Sequence, residues 1–416
     1  MYNEENNLIN YLKEKNNNKY LDSLKYNLGK KIYYYGEQFK NNKLNFINII
    51  RNILIFIIAS IINRSNKKEL VLSSAYLNYD DHIEKKDYCV ERICGNQRLK
   101  KRSGCNIKIL LKSNYIEYCL GNKDFKYLLS SEMENLINSL KIDIYNYIKE
   151  KNYRALFVPN DLDFFMKIYI DAFKSLNKPT FLLAHGGIYN IYDLESENRT
   201  DYIVVWGNAQ KKAFIENGYN KKKFFVSGHP NYKFNNDLKI TSSTNNILVL
   251  TKSLVGVPQY YELEDRGSAI VYLLGIKEAL KKIGVPKVRL RLHPSENINF
   301  YKRFLDDEFF IHDDDDIDDS LNKSTMVIGP RSTVIVDAIF KGINYIVYEP
   351  KFHNKDIFGH RITAPMDGSL DGLNISRSQS ELFNHINENR IIDKNVFIEL
   401  CGKKFDDSFI NIINEL

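Results

Sequence analysis

Leu290-Arg291-Leu292-His293-Pro294-Ser295-Glu296 opens the stretch of sequence, residues 287–350, that decides the fold. An acidic connection follows, and then a second apolar strand that ends in Gly329-Pro330-Arg331-Ser332-Thr333. After a short helix, a third strand runs from Tyr345 to Tyr348 and stops at Glu349-Pro350. In open parallel sheets, ligands bind at the carboxyl ends of the strands, where helix amino termini offer N–H groups. The stretch therefore predicts the floor of a ligand site, which suits a phosphorylated ligand.

The same alternation of strand and helix extends through most of the chain. Apolar runs that stop at small or polar residues predict strands at 70–72, 155–158, 181–184, 202–205, 223–226, 247–250 and 288–292. Ser131-x-x-Glu134 predicts a capped helix start, whereas residues 75–125 show no clear pattern. Since strands that alternate with helices form parallel sheets covered on both faces, we expect an α/β protein with two doubly wound, Rossmann-like domains across a cleft. The polar segment Asn231 to Asn246 is the predicted linker between domains at 1–235 and 246–416.

The composition is that of a globular protein. The 416 residues are 44% hydrophobic and 27% charged, with a net charge of +7. Lys and Arg gather at Lys30-Lys31, Arg64 to Lys68 and Arg98 to Arg102, which suits an anionic surface and equally a solvated face. No nucleic-acid recognition motif accompanies this charge.

The cysteines and the apolar runs bear on compartment and membrane contact. Five cysteines at irregular spacing predict neither a disulfide framework nor a zinc site, so we expect free thiols in a reducing cytosol. The polar segment Met1 to Asn18 is not a signal peptide. The apolar run Ile53 to Ile62 is too short to span a bilayer, and it suits either an interfacial helix at the inner membrane or a buried one.

The order of the motifs resembles a known architecture. His185-Gly186-Gly187, Trp206-Gly207-Asn208, Gly228-His229-Pro230, Arg291-x-His293-Pro294 and Gly329-Pro330-x-Ser332-Thr333 follow one another as in GT-B glycosyltransferases of bacterial surface polysaccharides. More narrowly, the His-Pro motif with a downstream Ser-Thr pair is similar to sialyl-, polysialyl- and capsule-type Kdo transferases. The resemblance covers about 150 to 370. It implies an acceptor-side first domain and a second domain that binds the nucleotide sugar.

Donor-binding residues follow from this resemblance and from local chemistry. In the similar CMP-sugar transferases the His-Pro pair contacts the nucleotide phosphate, which points to His293 and Pro294. Ser332 and Thr333, at a helix start, predict an anion site. Four more candidates complete the donor set: Glu296 for a ribose hydroxyl or a helix cap, Arg291 for an anion, Arg331 as a phosphate clamp, and Gly329 within the Gly-Pro motif.

The catalytic base is the least determined part of the site. His185 is a candidate for a base or for a donor that positions the acceptor, and the adjacent glycines allow close approach by a substrate. Asp161 and Asp163, after the preceding strand, are the carboxylates best placed to deprotonate an acceptor hydroxyl; Asp161 is the favoured one, and Asp80-Asp81-His82 is a second option. The Asp/Glu-Asp/Glu-Gly pattern of the similar sialyltransferases is absent, so the base stays open.

Metal-independent glycosyl transfer is the leading hypothesis. The acidic run Asp313 to Asp316 lacks the ligand spacing of a calcium loop, and we expect it to be a solvated connection whose charges start a helix. The predicted substrates are a nucleotide sugar, preferably a CMP-activated ulosonic acid, and a lipid-linked or oligosaccharide acceptor, with no further cofactor. The alternatives are a UDP- or CDP-linked donor, a UDP-GlcNAc 2-epimerase-like enzyme, and a non-catalytic binding protein.

Overall fold

The computed structural model describes residues 68–93, 102–186, 199–252, 266–294, 296, 298–305, 308–352, 355–358 and 362–415, together with 23, 24, 27, 28, 53, 54 and 57. The predicted interfacial or buried helix at Ile53 to Ile62 lies outside the described residues except at three positions. Of these, Ile53 is partly buried, and Leu54 and Ile57 are exposed.

The first half of the chain forms a seven-stranded parallel sheet. Its order is β3-β2-β1-β4-β5-β6-β7, so the chain starts in the middle, winds to one edge and then returns to build the other side. The strands are β1 (Glu69–Ser73), β2 (Tyr88–Arg92), β3 (Arg102–Ser103), β4 (Leu156–Val158), β5 (Thr180–Leu183), β6 (Tyr202–Val205) and β7 (Phe224–Val226). Short apolar strands buried on both faces are what the sequence pattern predicted.

Five helices longer than four residues cover this sheet in the described part of the chain: α1 (Tyr79–Glu84), α2 (Ile107–Asn122), α4 (Ser131–Lys151), α5 (Phe164–Ser175) and α6 (Asn208–Glu216), with a single turn, α3 (Phe125–Leu128), before α4. The α4 cap is Ser130, whose hydroxyl accepts from the Met133 N–H at 3.3 Å, so the predicted capping box at Ser131 was one residue late. Asp163 caps α5 by accepting from the Phe165 N–H at 2.9 Å.

The second half repeats the plan with six parallel strands. The order β10-β9-β8-β11-β12-β15 again starts in the middle of the sheet. The strands are β8 (Ile247–Leu250), β9 (Val288–Arg291), β10 (Phe310–His312), β11 (Met326–Gly329), β12 (Asn344–Tyr348) and β15 (Ile375–Ser376), and a small hairpin, β13 (Lys351–Phe352) and β14 (Lys355–Asp356), follows β12. In each sheet the winding direction reverses beside the first strand, and that reversal opens a crevice at the carboxyl ends of the strands.

The helices of the second half are α7 (Arg266–Ile283), α8 (Ile298–Tyr301), α9 (Ile317–Asn322), α10 (Val334–Phe340), α11 (Gln379–Asn387), α12 (Asn395–Cys401) and α13 (Ile412–Glu415). Asp316 caps α9 by accepting from the Asp319 N–H at 2.9 Å, as predicted for the acidic connection. Asp313 differs from that prediction because it is buried and accepts from Arg289 at 2.7 Å and from Ser320 at 2.9 Å.

The end of the chain returns to the first half. The Cys401 carbonyl accepts from the His229 N–H at 2.8 Å, and the Lys403 carbonyl accepts from the Phe234 N–H at 2.9 Å. Phe409 then packs on Phe157 and Phe181, with ring centroids 6.4 and 6.2 Å apart. One apolar cluster consequently joins residues of both sheets with α10, α12 and the closing residues.

The carboxyl ends of the two sheets also meet. A Cβ placed on Gly186, which follows β5, would lie 3.1 Å from the Thr333 hydroxyl, which follows β11. Two doubly wound sheets that face each other in this way form the GT-B arrangement, as predicted from the sequence.

One expectation about the cysteines was wrong. Cys105 is disulfide-bonded, whereas Cys89, Cys119 and Cys401 are free and buried. The expectation of free thiols rested on the irregular spacing of the cysteines in the sequence, and that spacing does not show which thiols lie close together in the folded protein. Among the described residues, no helix combines the length and apolarity that crossing a bilayer requires.

Candidate functional site

A buried charge cluster lies at the carboxyl ends of β8, β11 and β12. Glu349, directly after β12, is 1% exposed, and its carboxylate accepts from the Arg331 N–H at 2.9 Å. The Lys252 ammonium, after β8, is 3.8 Å from the same carboxylate, and the Arg377 guanidinium is 3.5 Å from its other oxygen. The Arg331 guanidinium donates to Asp356 at 2.9 Å. Three cations thus surround two carboxylates, which leaves a net positive charge at the floor of the crevice.

Lys252 is the most perturbed cation of this cluster. Burial and the nearby Arg331 guanidinium lower the pKa of its ammonium to about 8, while Glu349 opposes that shift. Its ammonium also lies 5.5 Å from the centre of the Phe358 ring, beyond the small hairpin. A desolvated ammonium gains more free energy on binding a phosphate than a solvated lysine does, because it has already lost most of its hydration water.

The His-Pro turn is held by the neighbouring strand. The His293 N–H donates to the Thr251 hydroxyl at 2.9 Å and to Glu296 at 3.1 Å. Glu296 also accepts from Thr251 and, at 2.6 Å, from the Tyr301 hydroxyl, and burial raises the pKa of its carboxyl. Glu296 therefore braces the turn that carries His293 and Pro294. The predicted contact to a ribose hydroxyl stays a prediction.

The His293 imidazole borders an open depression of about 470 Å³ that is also lined by Arg291, Pro294 and the residues 312–315. Partial desolvation lowers the pKa of the solvent-exposed His293 imidazole below its ordinary value, which favours the neutral ring with one N–H donor. Arg291 donates to the Asp315 carbonyl and, at 3.3 Å, to the Ser320 hydroxyl, so its guanidinium points toward the acidic connection.

The Gly-Pro-x-Ser-Thr turn follows β11, two strands from β9 in the second sheet. Gly329 is required by packing, because a Cβ there would lie 2.3 Å from the Tyr345 hydroxyl. The Ser332 hydroxyl accepts from the Val334 N–H at 3.3 Å, whereas Thr333 occupies the cap position of α10 without a side-chain capping bond. Arg331 is buried within the charge cluster, so a phosphate would have to reach into that cluster to contact its guanidinium.

On the first sheet, the strand ends bring together Tyr76, Pro159 and His185. The His185 imidazole donates to the Pro159 carbonyl, and the exposed Tyr76 ring meets it edge-on with centroids 5.3 Å apart. Desolvation by the surrounding protein lowers the pKa of His185. Because one ring nitrogen carries the proton that Pro159 accepts, the other is the basic nitrogen, as a general base requires.

Asp161 and Asp80, two of the carboxylates considered as bases, have structural partners. Asp161 is 1% exposed and accepts from the Arg199 N–H at 2.6 Å, and burial raises the pKa of its carboxyl to about 6. Asp80 is paired with Arg92 at 2.6 Å and accepts from the Ser73 hydroxyl at 2.6 Å. His82 contacts the Pro230 carbonyl at 3.0 Å. The assignments of His185 and of Asp161 as the base both stay predictions.

The structure thus places His293 and Pro294 after β9 and Ser332 and Thr333 after β11, at the same edge of the second sheet with β8 between them, and His185 follows β5 in the first sheet, next to the Gly186 that approaches Thr333. Gly187 and Ser295 lie outside the described residues. Sequence reasoning missed Lys252, Asp356, Arg377 and Tyr76 as site residues and named Glu349 only as a strand end. Lys252 and Glu349 could have been found, since Glu349 directly follows one predicted strand and Lys252 lies two residues after another. In the described ranges, no three His, Cys, Asp or Glu side chains form a metal-binding group.

Comparisons with known proteins were made at three levels. No protein-family model matches the sequence, and no curated protein matches it significantly. Among solved structures, a UDP-GlcNAc 2-epimerase from Methanocaldococcus jannaschii, in complex with UDP-GlcNAc and UDP, is 11% identical, with a TM-score of 0.48 over 84% of this chain and 99% of that one. MurG from Acinetobacter baumannii is 10% identical, with a TM-score of 0.42 over 84% and 100%.

The lipopolysaccharide outer core galactosyltransferase WaaB is 10% identical, with a TM-score of 0.45 over 84% of this chain and 98% of its own. At these identities and TM-scores the likeness is one of general architecture. The fold assignment therefore rests on the strand order of the two sheets and on their facing carboxyl ends.

Proposed function

We propose that this protein is a glycosyltransferase that moves a sugar from a nucleotide donor to a glycan acceptor. The observation that carries the proposal is the convergence of neutral His293 and the net-positive Lys252 cluster at one sheet edge, opposite His185 on the other. The positive cluster and His293, in the second sheet, suit an anionic leaving group. His185, in the first sheet, suits an acceptor hydroxyl.

The donor side acts on the leaving group. As the glycosidic bond breaks, negative charge develops on the phosphate oxygen, and fixed N–H donors that point at that oxygen lower the barrier. The His293 imidazole offers one such N–H, and its backbone N–H holds the turn in place by donating to Thr251 and Glu296. Lys252 and the backbone near Ser332 are the further groups that we assign to the donor phosphate.

The acceptor side supplies a base. The basic nitrogen of His185 takes the proton of the attacking hydroxyl, and the Pro159 carbonyl holds the ring in the required tautomer. The exposed Tyr76 ring beside it offers a flat surface for a sugar ring. Gly186 leaves room for the acceptor next to Thr333 because it carries no side chain.

The preferred donor is a CMP-activated ulosonic acid, of the Kdo or sialic acid type. Its support is the His-Pro motif at His293 with the Ser-Thr pair at Ser332, which resembles the transferases that use such donors. The acceptor is a lipid-linked or oligosaccharide chain of a bacterial surface polysaccharide. A UDP- or CDP-linked donor is the nearest alternative.

Ligand-induced thermal stabilisation tests the donor class. CMP, CDP, UDP and GDP are added separately to the protein, because a ligand that binds the native state raises the melting temperature. We expect CMP to stabilise the wild type and to lose that effect in His293→Ala. Lys282→Ala is the control, because it removes an exposed basic side chain from the last turn of α7, outside the depression, and should retain the response.

The outcomes separate the alternatives. Stabilisation by UDP or CDP instead of CMP would replace the donor class and retain the site. Release of UDP and a 2-epimer from UDP-GlcNAc alone would identify an epimerase. No response to any nucleotide would contradict the proposal and favour a non-catalytic binding protein.

A further inference from the structure

The main chain on the amino side of His185 is held by two buried aromatic residues. The Ala184 carbonyl accepts from the Tyr79 hydroxyl at 3.0 Å and from the Trp206 indole N–H at 3.1 Å. The same indole N–H lies 2.8 Å from the Tyr79 oxygen, and both side chains are 1% exposed. Because His185 itself is exposed, the core does not enclose its ring. The direction of the ring therefore depends on the peptide groups that flank it.

Gln210 holds the carboxyl side of the same turn. It lies in the first turn of α6, is 3% exposed, and donates from its amide nitrogen to the Gly186 carbonyl at 2.6 Å. Its amide oxygen accepts from the Trp206 backbone N–H at 2.8 Å. A backbone N–H only donates and a carbonyl only accepts, so these two partners determine which way the amide faces. One side chain therefore joins the start of α6 to the turn that carries His185.

Helix capping explains only one of the two Gln210 bonds. A glutamine or glutamate in the first turn of a helix commonly accepts from a backbone N–H near the helix start, and the contact with Trp206 is a bond of this kind. The donation to Gly186 adds nothing to α6. Because glycine has access to conformations that are closed to other residues, the Gly186 peptide group needs an external partner to keep one orientation. Gln210 is that partner.

We propose that Gln210 is a positioning residue for His185. By fixing the Gly186 carbonyl, it keeps the His185 imidazole on the Pro159 carbonyl, and that contact selects one tautomer with one defined basic nitrogen. The inference rests on the proposed function, in which His185 is the base. The tautomer of the ring can nevertheless be measured without any substrate.

Gln210→Glu separates the two bonds of the side chain. An ionised carboxylate still accepts from the Trp206 N–H, but it has no proton to donate to Gly186. A protonated carboxyl group restores that donor. Burial raises the pKa of a carboxyl group, so the loss of the donor should fall in the pH range where His185 is neutral. Asn208→Asp is the matched control, because it makes the same amide-to-carboxylate change at an exposed position in the first turn of α6.

NMR of the full-length protein with isotope-labelled histidine measures the ring directly. The chemical shifts of the two ring nitrogens report which one carries the proton, and the His185 signals are identified by their absence in His185→Ala. We expect a single tautomer in the wild type and in Asn208→Asp. In Gln210→Glu a mixture of tautomers should appear as the pH rises. Gln210→Met removes both bonds and should show that mixture wherever the ring is neutral.

Transfer kinetics give a second readout, with the nucleotide sugar whose nucleotide stabilises the protein. A misplacement of about 1 Å can cost a catalytic group about a hundredfold in rate, so kcat of Gln210→Glu should fall about ten- to hundredfold at alkaline pH. KM should change little, because Gln210 is buried behind the turn. The loss of kcat should shrink toward acidic pH, and Asn208→Asp should show no such loss.

The outcomes separate the role of Gln210 from the proposed function. The folding of Gln210→Glu is first checked by circular dichroism at acidic pH, where its carboxyl group is protonated. A single His185 tautomer in both Gln210 variants would overturn the inference, whether or not the protein transfers a sugar, and so would an equal mixture in Asn208→Asp. A tautomer mixture with unaltered kcat would contradict His185 as the base, and retain Gln210 as the residue that orients it.

Discussion

Replacing Asp80 by Asn should destabilise the first half strongly, although the change removes only a charge. Asp80 and Arg92 are 1% and 2% exposed and lie 2.6 Å apart. Arg92 also donates to the Ala75 carbonyl at 2.7 Å, and the Ser73 hydroxyl bridges to Asp80. The pair therefore fixes the turn after β1 that presents Tyr76. In Asp80→Asn the amide keeps a hydrogen-bonding oxygen, but Arg92 is left as a buried cation without its counter-ion.

Removal of one partner of a buried ion pair costs about 3–5 kcal/mol, and we expect the lower end because the amide still bonds. Urea unfolding followed by circular dichroism measures the loss in the free energy of unfolding. The control is Asp87→Asn, because Asp87 forms an exposed pair with Lys68 at 3.3 Å and such pairs contribute about 0–1 kcal/mol. Equal losses in the two variants would refute the reasoning that burial makes the Asp80 pair matter.

The structure also predicts the effects of three other substitutions. Gly207→Ala should destabilise by about 1–3 kcal/mol in urea unfolding, because its Cβ would lie 2.1 Å from the Glu399 carbonyl oxygen. His229→Gln should remove an acid-induced loss of stability: burial lowers the pKa of His229 to about 4, so between pH 6.5 and 4 the unfolded chain binds a proton that the native state does not. Lys252→Met should weaken binding of the stabilising nucleotide at least tenfold by calorimetry, because it removes a desolvated cation from the proposed phosphate site.

Each of these has a control and a contradicting result. Gly267→Ala meets no atom within 4 Å and should be neutral or slightly stabilising, so equal losses would exclude a clash at Gly207. For His229 the readout is the slope of unfolding free energy with pH relative to wild type, since Asp161, with its pKa raised to about 6, acts in the opposite direction. An unchanged slope would contradict the effect of burial. Unaltered nucleotide affinity in Lys252→Met would remove Lys252 from the donor site.

The strands that could be predicted are those whose burial shows as an unbroken apolar run, such as β8, β11 and β12. The strand β2 could not, because its Glu91 and Arg92 are charged. They are buried only because Tyr153 donates to Glu91 and Asp80 pairs with Arg92. Partners that distant in sequence leave no local pattern.

For the site, the rule that ligands bind at the carboxyl ends of parallel strands predicted which residues lie there, but not where their side chains point. It located His185, His293 and Ser332 at facing sheet edges. It could not show that Asp161 turns inward to the Arg199 N–H or that Glu296 braces the His293 turn, because side-chain orientation depends on the neighbouring chain. Arg377 was not predictable, since its contact with Glu349 depends on a strand that pairs with β12 through only two residues.

The chain passes between the two halves at two places, and these crossings meet near Gly228. The outgoing segment after β7 and the returning segment at 401–406 are hydrogen-bonded side by side, and a Cβ on Gly228 would lie 2.2 Å from the Lys404 carbonyl oxygen. The two crossings between the halves therefore lie together, and any rearrangement that separated them would break these hydrogen bonds. A chain cut before Lys394 would retain every strand of both sheets and lose one of the two crossings.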